Sequence, residues 1–255
     1  MSDGRVAQVW RHPVKSLQGE QLSGAFIDQT GMSGDRRYGI VERATQRVLS
    51  AKTVPMLLDG AARLIGSAAE IALPDGRTAH STDHDVDELL SGWLGRDVRL
   101  EIAEPARPRS FEMAVDPEDD ESPVVELPCP PQTFLDAGPV HLLTTAGLRA
   151  AATHYPSGRW DVRRFRPTLL VDVDGDEFVE DEWIGRTVRV GEAELNVFAP
   201  TVRCVMTTLP QSGLPRDLDI VKTVNREHQS NLGVYAAVRT PGRIAVDDAV
   251  TVGDS

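Results

Sequence analysis

The sequence predicts a mainly β protein: a β-barrel, a β-rich N-terminal region and a few short helices. Three observations carry this. Short apolar runs of strand length, bounded by Gly, Pro or Asp, recur along the whole chain. Long amphipathic helical patterns are few. Neither GxGxxG nor GxxxxGK[ST] occurs between a strand and a helix, so the usual parallel nucleotide-binding sheets are not indicated. Many short strands with few helices favour barrels.

The runs are VAQVW (6–10), RRYGIV (36–41), AEIAL (69–73), DVRLEI (97–102), TLLVDV (168–173), TVRVG (187–191) and AELNVF (193–198). Asp75-Gly76 is a hairpin turn signal between IALP and RTAH. Two helices are legible. Asp85 is placed to cap DVDELLSGWLG, with Val86, Leu89, Leu90 and Trp93 as its apolar stripe. Thr144 or Thr145 is placed to cap AGLRAAATHY, with Leu148, Ala151, Ala152 and Tyr155 on one face. A third, weaker helix is expected from Leu218 to Glu227. The stretch 104–131 holds many prolines and the acidic run DPEDDES, and reads as a connection. The expected division is an N-terminal barrel-like domain over 1–103 and a second domain over 132–255.

Composition narrows the function. The 255 residues carry a formal charge of -12, which argues against a general nucleic-acid or membrane-surface binder. No apolar stretch reaches the roughly 18 residues of a membrane-spanning helix, and MSDGRVAQVW lacks the pattern of a secretory signal. Two cysteines, Cys129 and Cys204, are too few for a disulfide framework or a four-cysteine iron–sulfur cluster. A cytoplasmic location is expected, and any electrons would come from a separate protein.

Against this acidic background, cations recur beside turns and hydroxyls. Lys15 and Ser16 follow a proline in HPVKSLQGE. Arg36 follows the turn GMSGD. Ser50, Lys52 and Thr53 precede a proline in LSAKTVP. HLLTTAG, RRFRPTLLVD and VRCVMTT continue the series. Charge, hydroxyl donors and open backbone amides are what a phosphate requires. Singly, each has an ordinary reading: an exposed turn, a solvated strand edge, a helix cap, a small buried thiol.

In order, these segments resemble the MOSC (molybdenum cofactor sulfurase C-terminal) family with its N-terminal β-barrel domain. Within it, the pattern is similar to the mitochondrial amidoxime-reducing components and their bacterial counterparts. HPVKSLQGE resembles the family's Y-P-V-K-S-x-x-G opening, with His12 at the aromatic position. SGDRRYGIV, TFLDAGPVHLLTTAGL, RRFRPTLLVD, VRCVMTT and NLGVYAAVRTPGRIAVDDAV resemble five further elements, so the likeness spans nearly the whole chain.

The resemblance implies that Cys204 is the protein thiolate ligand of molybdenum and the catalytic residue, with molybdopterin supplying a dithiolene. A thiolate is a soft ligand suited to such a metal, and a neighbouring cation, here Arg203, favours it. It further implies cofactor-binding roles for Lys15, Ser16, Arg36, Lys52, Thr144, Thr145, Arg166, Thr168, Arg203 and Thr207. Thr144 and Thr145 would offer donors where a helix dipole favours an anion. The implied activity is molybdenum-dependent reduction of N-hydroxylated small molecules, with electrons from an external flavoprotein or iron–sulfur protein. The alternative is a non-catalytic carrier of the molybdenum cofactor, or of sulfur as a persulfide on Cys204.

Two departures stand out. Thr168 replaces the family's Asn after R-F-R-P, and Leu209-Pro210-Gln211 replaces V-D-P, removing an acidic residue. A cysteine hydrolase pairing Cys204 with His141, His154 or His228 lacks a nucleophile motif. His80 and His84, four apart in AHSTDHD, read as exposed turn residues rather than zinc ligands. Cys129, between prolines, reads as an incidental thiol.

Overall fold

The computed structural model describes residues 4–104, 110–114, 123–128 and 132–253. Strands β1 (Gly4–Arg11), β2 (Glu20–Leu22), β3 (Gly24–Asp28), β4 (Gly31–Met32) and β5 (Tyr38–Glu42) come first. A three-stranded meander follows: β6 (Ala61–Ile65), β7 (Ala68–Ala72) and β8 (Thr78–His80). Helix α1 (Val86–Leu94) leads to β9 (Val98–Ile102), which pairs with β5. Within the connection, β10 (Ser110–Ala114) and β11 (Val124–Pro128) pair antiparallel; Cys129 and the acidic run lie outside the described residues. The second half comprises β12 (Val140–Thr144), α2 (Thr145–His154), β13 (Leu169–Asp172), β14 (Thr187–Val190) and β15 (Ala193–Val202). It ends with α3 (Asp219–His228), β16 (Asn231–Thr240), β17 (Gly242–Ala245) and β18 (Ala249–Val252).

Seven strands close a barrel in the order β1–β13–β12–β16–β15–β14–β18, with β18 returning to β1. Closure removes the exposed edges that an open sheet would leave. The protein is thus mainly β, as expected. Among neighbouring strands of the barrel only β12 and β13 run parallel, and α2 lies in the crossover between them. Alternate residues fill the interior: Val140 and Leu142, Leu169 and Val171, Leu195 and Val197, while in β1 a register shift between Val6 and Gln8 brings Val6 and Val9 to the same side. The outward Leu143 and Leu170 meet Ile220 and Val224 of α3 on the outside.

Strand pairing crosses the sequence division between 1–103 and 132–255. β1 lies between β13 and β18, and β3 pairs with β17. A second core gathers Val14, Leu17, Ile40, Leu57, Ile71, Leu90 and Val98, and it reaches across to Leu209.

The seven sequence runs became β1, β5, β7, β9, β13, β14 and β15. Asp75-Gly76 turns β7 into β8, with Gly76 at φ +86° and Asp75 accepting the Arg77 N–H at 3.0 Å. Helix α1 starts after Asp85, but that side chain makes no capping bond. Thr144 caps α2 by accepting from the Gly147 N–H at 2.8 Å. The fully buried face of α2 is Ala146, Gly147, Ala150 and Ala151, where small residues let the helix lie close to the barrel, while Leu148 and Tyr155 of the expected stripe pack half-buried on the outer cluster. No helix among the described residues is long and apolar enough to cross a membrane.

Candidate functional site

A cavity of about 540 Å³ opens where the barrel meets the second core. Each of its polar walls hangs on buried apolar neighbours. Lys15 and Ser16 sit between Val14 and Leu17, both fully buried. Lys52 follows Ala51, whose N–H donates to Ser16 Oγ at 3.0 Å. Arg203 and Cys204 follow the last residue of β15. A 3-10 turn, Val205–Thr208, then carries the chain to Leu209 in the second core. Thr207 closes that turn, its Oγ1 donating to the Cys204 carbonyl at 3.0 Å. Cys204 is a free, half-buried thiol in the cavity wall.

Three wall residues, Ser16, Arg36 and Arg166, have left-handed backbones, with φ of +67°, +44° and +52°. Such conformations cost non-glycine residues about 1–3 kcal/mol each and concentrate at functional sites. Surrounding bonds impose them here. The Arg36 N–H donates to the His12 carbonyl at 2.8 Å, and the Arg166 N–H to the Val162 carbonyl at 3.2 Å.

The charge of the walls opposes that of the molecule. Lys15, Arg36, Lys52, Arg164, Arg166 and Arg203 line the cavity, with Asp136 the one carboxylate among its lining residues. Asp136 bridges both lysines. It accepts from Lys15 Nζ, and from Lys52 Nζ at 3.2 Å, while Lys15 also donates to the Phe134 carbonyl at 2.8 Å. Burial alone would raise the Asp136 carboxyl, but the two ammonium groups hold it well below the usual carboxylate range. Burial likewise opposes the Lys52 charge, yet Asp136 and Cys204 raise its pKa above the ordinary value.

Arg203 has most of its donors committed: Nε to the Leu232 carbonyl at 2.7 Å, Nη1 to the Phe165 carbonyl at 3.1 Å, and Nη2 to Leu232 and to His141 Nε2. Burial lowers its pKa to about 10, so it stays a cation beside Cys204. Burial and Arg203 together push His141 well below its ordinary value, so the imidazole is neutral and accepts. Arg166 differs from Arg203. Its Nη1 donates to the Leu17 carbonyl at 2.8 Å, but its Nη2 is buried without a partner. Burial and Arg36 lower its pKa to about 9, which still leaves it charged near neutrality.

Two family models match the chain: MOSC domain over residues 131–251 and MOSC N-terminal beta barrel domain over residues 3–94. The chain carries both MOSC domains. It is 24% identical to Mitochondrial amidoxime-reducing component 1 from Homo sapiens, over 97% of this chain and 82% of that one. The Mus musculus protein of the same name is 22% identical, with the same coverage. Among solved structures, the YUAD protein from Bacillus subtilis shares the fold, with a TM-score of 0.52, 12% identity, and 98% and 95% of the two chains covered.

In this MOSC chain, nine of the sequence candidates line one cavity: Lys15, Ser16, Arg36, Lys52, Arg166, Thr168, Arg203, Cys204 and Thr207. Thr144 and Thr145 are not among the lining residues. Thr144 caps α2 and donates to buried Glu180, while Thr145 Oγ1 donates to Asp172 at 2.7 Å. Thr168 Oγ1 accepts the His141 N–H at 3.0 Å, and Gln211 accepts from Gln18 Nε2 at 2.9 Å. Of the histidines weighed as partners of Cys204, His141 alone lines the cavity, and its Nε2 already faces Arg203. His154 lies 3.4 Å from Glu227, and His228 bonds Asp181 and the Asn231 carbonyl. His80 lies 3.4 Å from Glu70 and His84 is exposed. Among the described residues, no group of three or more His, Cys, Asp and Glu is placed to hold a metal ion.

Asp136, Tyr235, Phe198 and Arg164 line the cavity without having been among the sequence candidates. Asp136 is the only acid in TFLDAGPVHLLTTAGL, a signal that was available. Tyr235 and Phe198 stack at 6.4 Å along one wall, and nothing in their local sequence marks them. Arg164, only 1% exposed, anchors the turn after Cys204 through Nη1 to the Thr207 carbonyl at 3.0 Å and Nη2 to the Pro215 carbonyl at 2.7 Å. It carries no mark separating it from the neighbouring arginines of RRFRP.

Proposed function

We propose that this protein binds the molybdenum cofactor through the Cys204 cavity and reduces N-hydroxylated small molecules. The observation that carries this reading is a free thiol in the wall of a cationic cavity where buried Arg166 Nη2 lacks a partner. An orphaned guanidinium nitrogen in such a place calls for an acceptor, and an anionic cofactor supplies one. The donor set fits the group for a second reason. The described residues offer no three-ligand metal cluster, so a metal bringing its own sulfur ligands needs only one further thiolate from the protein. The matched MOSC models and the name of the human relative agree with this chemistry.

When bound, the cofactor supplies two-electron redox chemistry, and the substrate oxygen leaves as water with two protons consumed. The chain's own residues bind and orient. Lys15, Lys52, Arg36 and Arg166 hold negative charge, Cys204 offers the ligand sulfur, and Arg203 keeps a fixed cation beside it. Neutral His141, held by Arg203, has no proton to give from Nε2. The electrons come from an external flavoprotein or iron–sulfur protein, since two cysteines cannot hold a four-cysteine cluster. A cytoplasmic setting suits the free Cys204 thiol.

The test is turnover of an N-hydroxylated amidine by protein from a cofactor-competent host, with a reduced viologen dye as donor. Wild type should reduce it and Cys204→Ser should be inactive while remaining folded. No turnover, with a persulfide on Cys204 and no metal, would replace the enzyme reading by that of a carrier.

A further inference from the structure

Glu180 is a carboxylate that the proposed chemistry does not use. It sits in a 3-10 turn, Val179–Trp183, and is 0% exposed. Its two oxygens join elements distant in sequence. Oε2 accepts from Thr144 Oγ1 at the start of α2, and Oε1 accepts the Gly233 N–H at 3.2 Å. The fit is close: a Cβ on Gly147 would come within 2.5 Å of Glu180 Oε1.

Gly233 lies at an irregularity of β16. Pro200 pairs with Val234 and Val202 with Asn231, so Thr201 alone faces both Leu232 and Gly233. This is the two-against-one count of a β-bulge. Gly233 takes φ +83°, and a Cβ there would come within 2.6 Å of both His141 Nε2 and the Leu142 carbonyl. The bulge turns the Leu232 carbonyl toward Arg203, where it accepts from both Nε and Nη2. Arg203 in turn donates to His141 and precedes Cys204.

We propose that Glu180 is a positioning residue for the Cys204 corner: its carboxylate fixes the Gly233 bulge, and the bulge orients Arg203 and, through it, His141. The inference deepens the proposed function at the same site and rests on that reading only for why the corner must be rigid. Its test uses cofactor-free full-length protein, so the two fail separately.

Glu180→Met keeps the buried volume and removes both acceptors. Glu180→Gln keeps an acceptor for Gly233. The readouts are amide hydrogen exchange at Gly233 and the ring 15N signals of His141. In Glu180→Met, Gly233 protection should fall about tenfold or more, the loss expected when a buried N–H has no acceptor, and the His141 signals should move. Glu180→Gln should restore both toward wild type. A folded Glu180→Met protein with wild-type His141 signals would overturn the proposal. If Glu180→Met fails to fold, Glu180→Gln decides. Native His141 signals there support the proposal, and displaced signals in a folded protein with Gly233 still protected contradict it.

Discussion

Arg166 holds Nη1 on the Leu17 carbonyl while Nη2 stays buried and unpartnered. A buried donor without an acceptor costs about 1–3 kcal/mol, so Arg166 is retained against stability in the ligand-free chain. Arg166→Met should therefore change the stability of cofactor-free protein by no more than about 1 kcal/mol. It should also markedly reduce the pterin that co-purifies. Urea unfolding and pterin assay check the two halves. Glu180 gives a second prediction. Burial raises its carboxyl to about 6 from an ordinary 4.5, so between those values the folded chain holds a proton that the unfolded chain releases. Stability then falls as pH rises through that window, by about 2 kcal/mol from this group, and the fall should be missing in Glu180→Gln. His12 and His141 act in the other sense. Burial lowers both, so their part of the stability is lost as pH falls below the ordinary histidine value, in both proteins alike. Comparing urea midpoints of wild type and Glu180→Gln on either side of the window isolates the glutamate. At this scale the sequence marked Lys15, Arg36 and Cys204 through their turn and strand-end settings. Glu180 and Tyr235 stayed hidden because burial among distant segments is a tertiary property.

β16 shows what an element conceals. NLGVYAAVRT did not register as a strand because Gly233 interrupts the alternation, and that interruption is the bulge itself. β12, VHLLT, is buried at every position, so it lacks the alternation that marked β7 or β14, and it runs directly into the α2 cap. Gly233→Ala places a Cβ against the Leu142 backbone in a left-handed conformation. It should destabilise the protein by about 2–4 kcal/mol, read as a lower urea midpoint with an unchanged slope. A substitution at Gly76, also at positive φ but with open space around it, should cost much less. In α2, Thr144 was legible as a cap, and Leu148 and Tyr155 pack half-buried on the outer cluster, while the fully buried face is made by the small residues Ala146, Gly147, Ala150 and Ala151.

At the scale of the whole molecule, the first strand belongs to the last domain's barrel. β1 contributes Val6 and Val9 to the barrel core and joins β13 to β18. A fragment of residues 131–255 should therefore fail to show cooperative unfolding, with circular dichroism and denaturant titration as the check. Adding a segment that contains Gly4–Arg11 should restore it. The barrel class was legible from run length and turn chemistry alone. Its closure by an N-terminal strand was not, because nothing local in GRVAQVWR tells which distant edge it joins. The distribution of charge is likewise global: an acidic chain of net charge -12 folds so that six cations line one cavity.

The proposed function requires that this cavity hold molybdenum through Cys204. Its most direct test is the molybdenum and pterin content of wild type and Cys204→Ser purified from a cofactor-competent host. Wild type should carry near-stoichiometric molybdenum with pterin, and the folded variant should lose the metal. Metal-free and pterin-free wild type, or a variant that holds as much molybdenum as wild type, would contradict it.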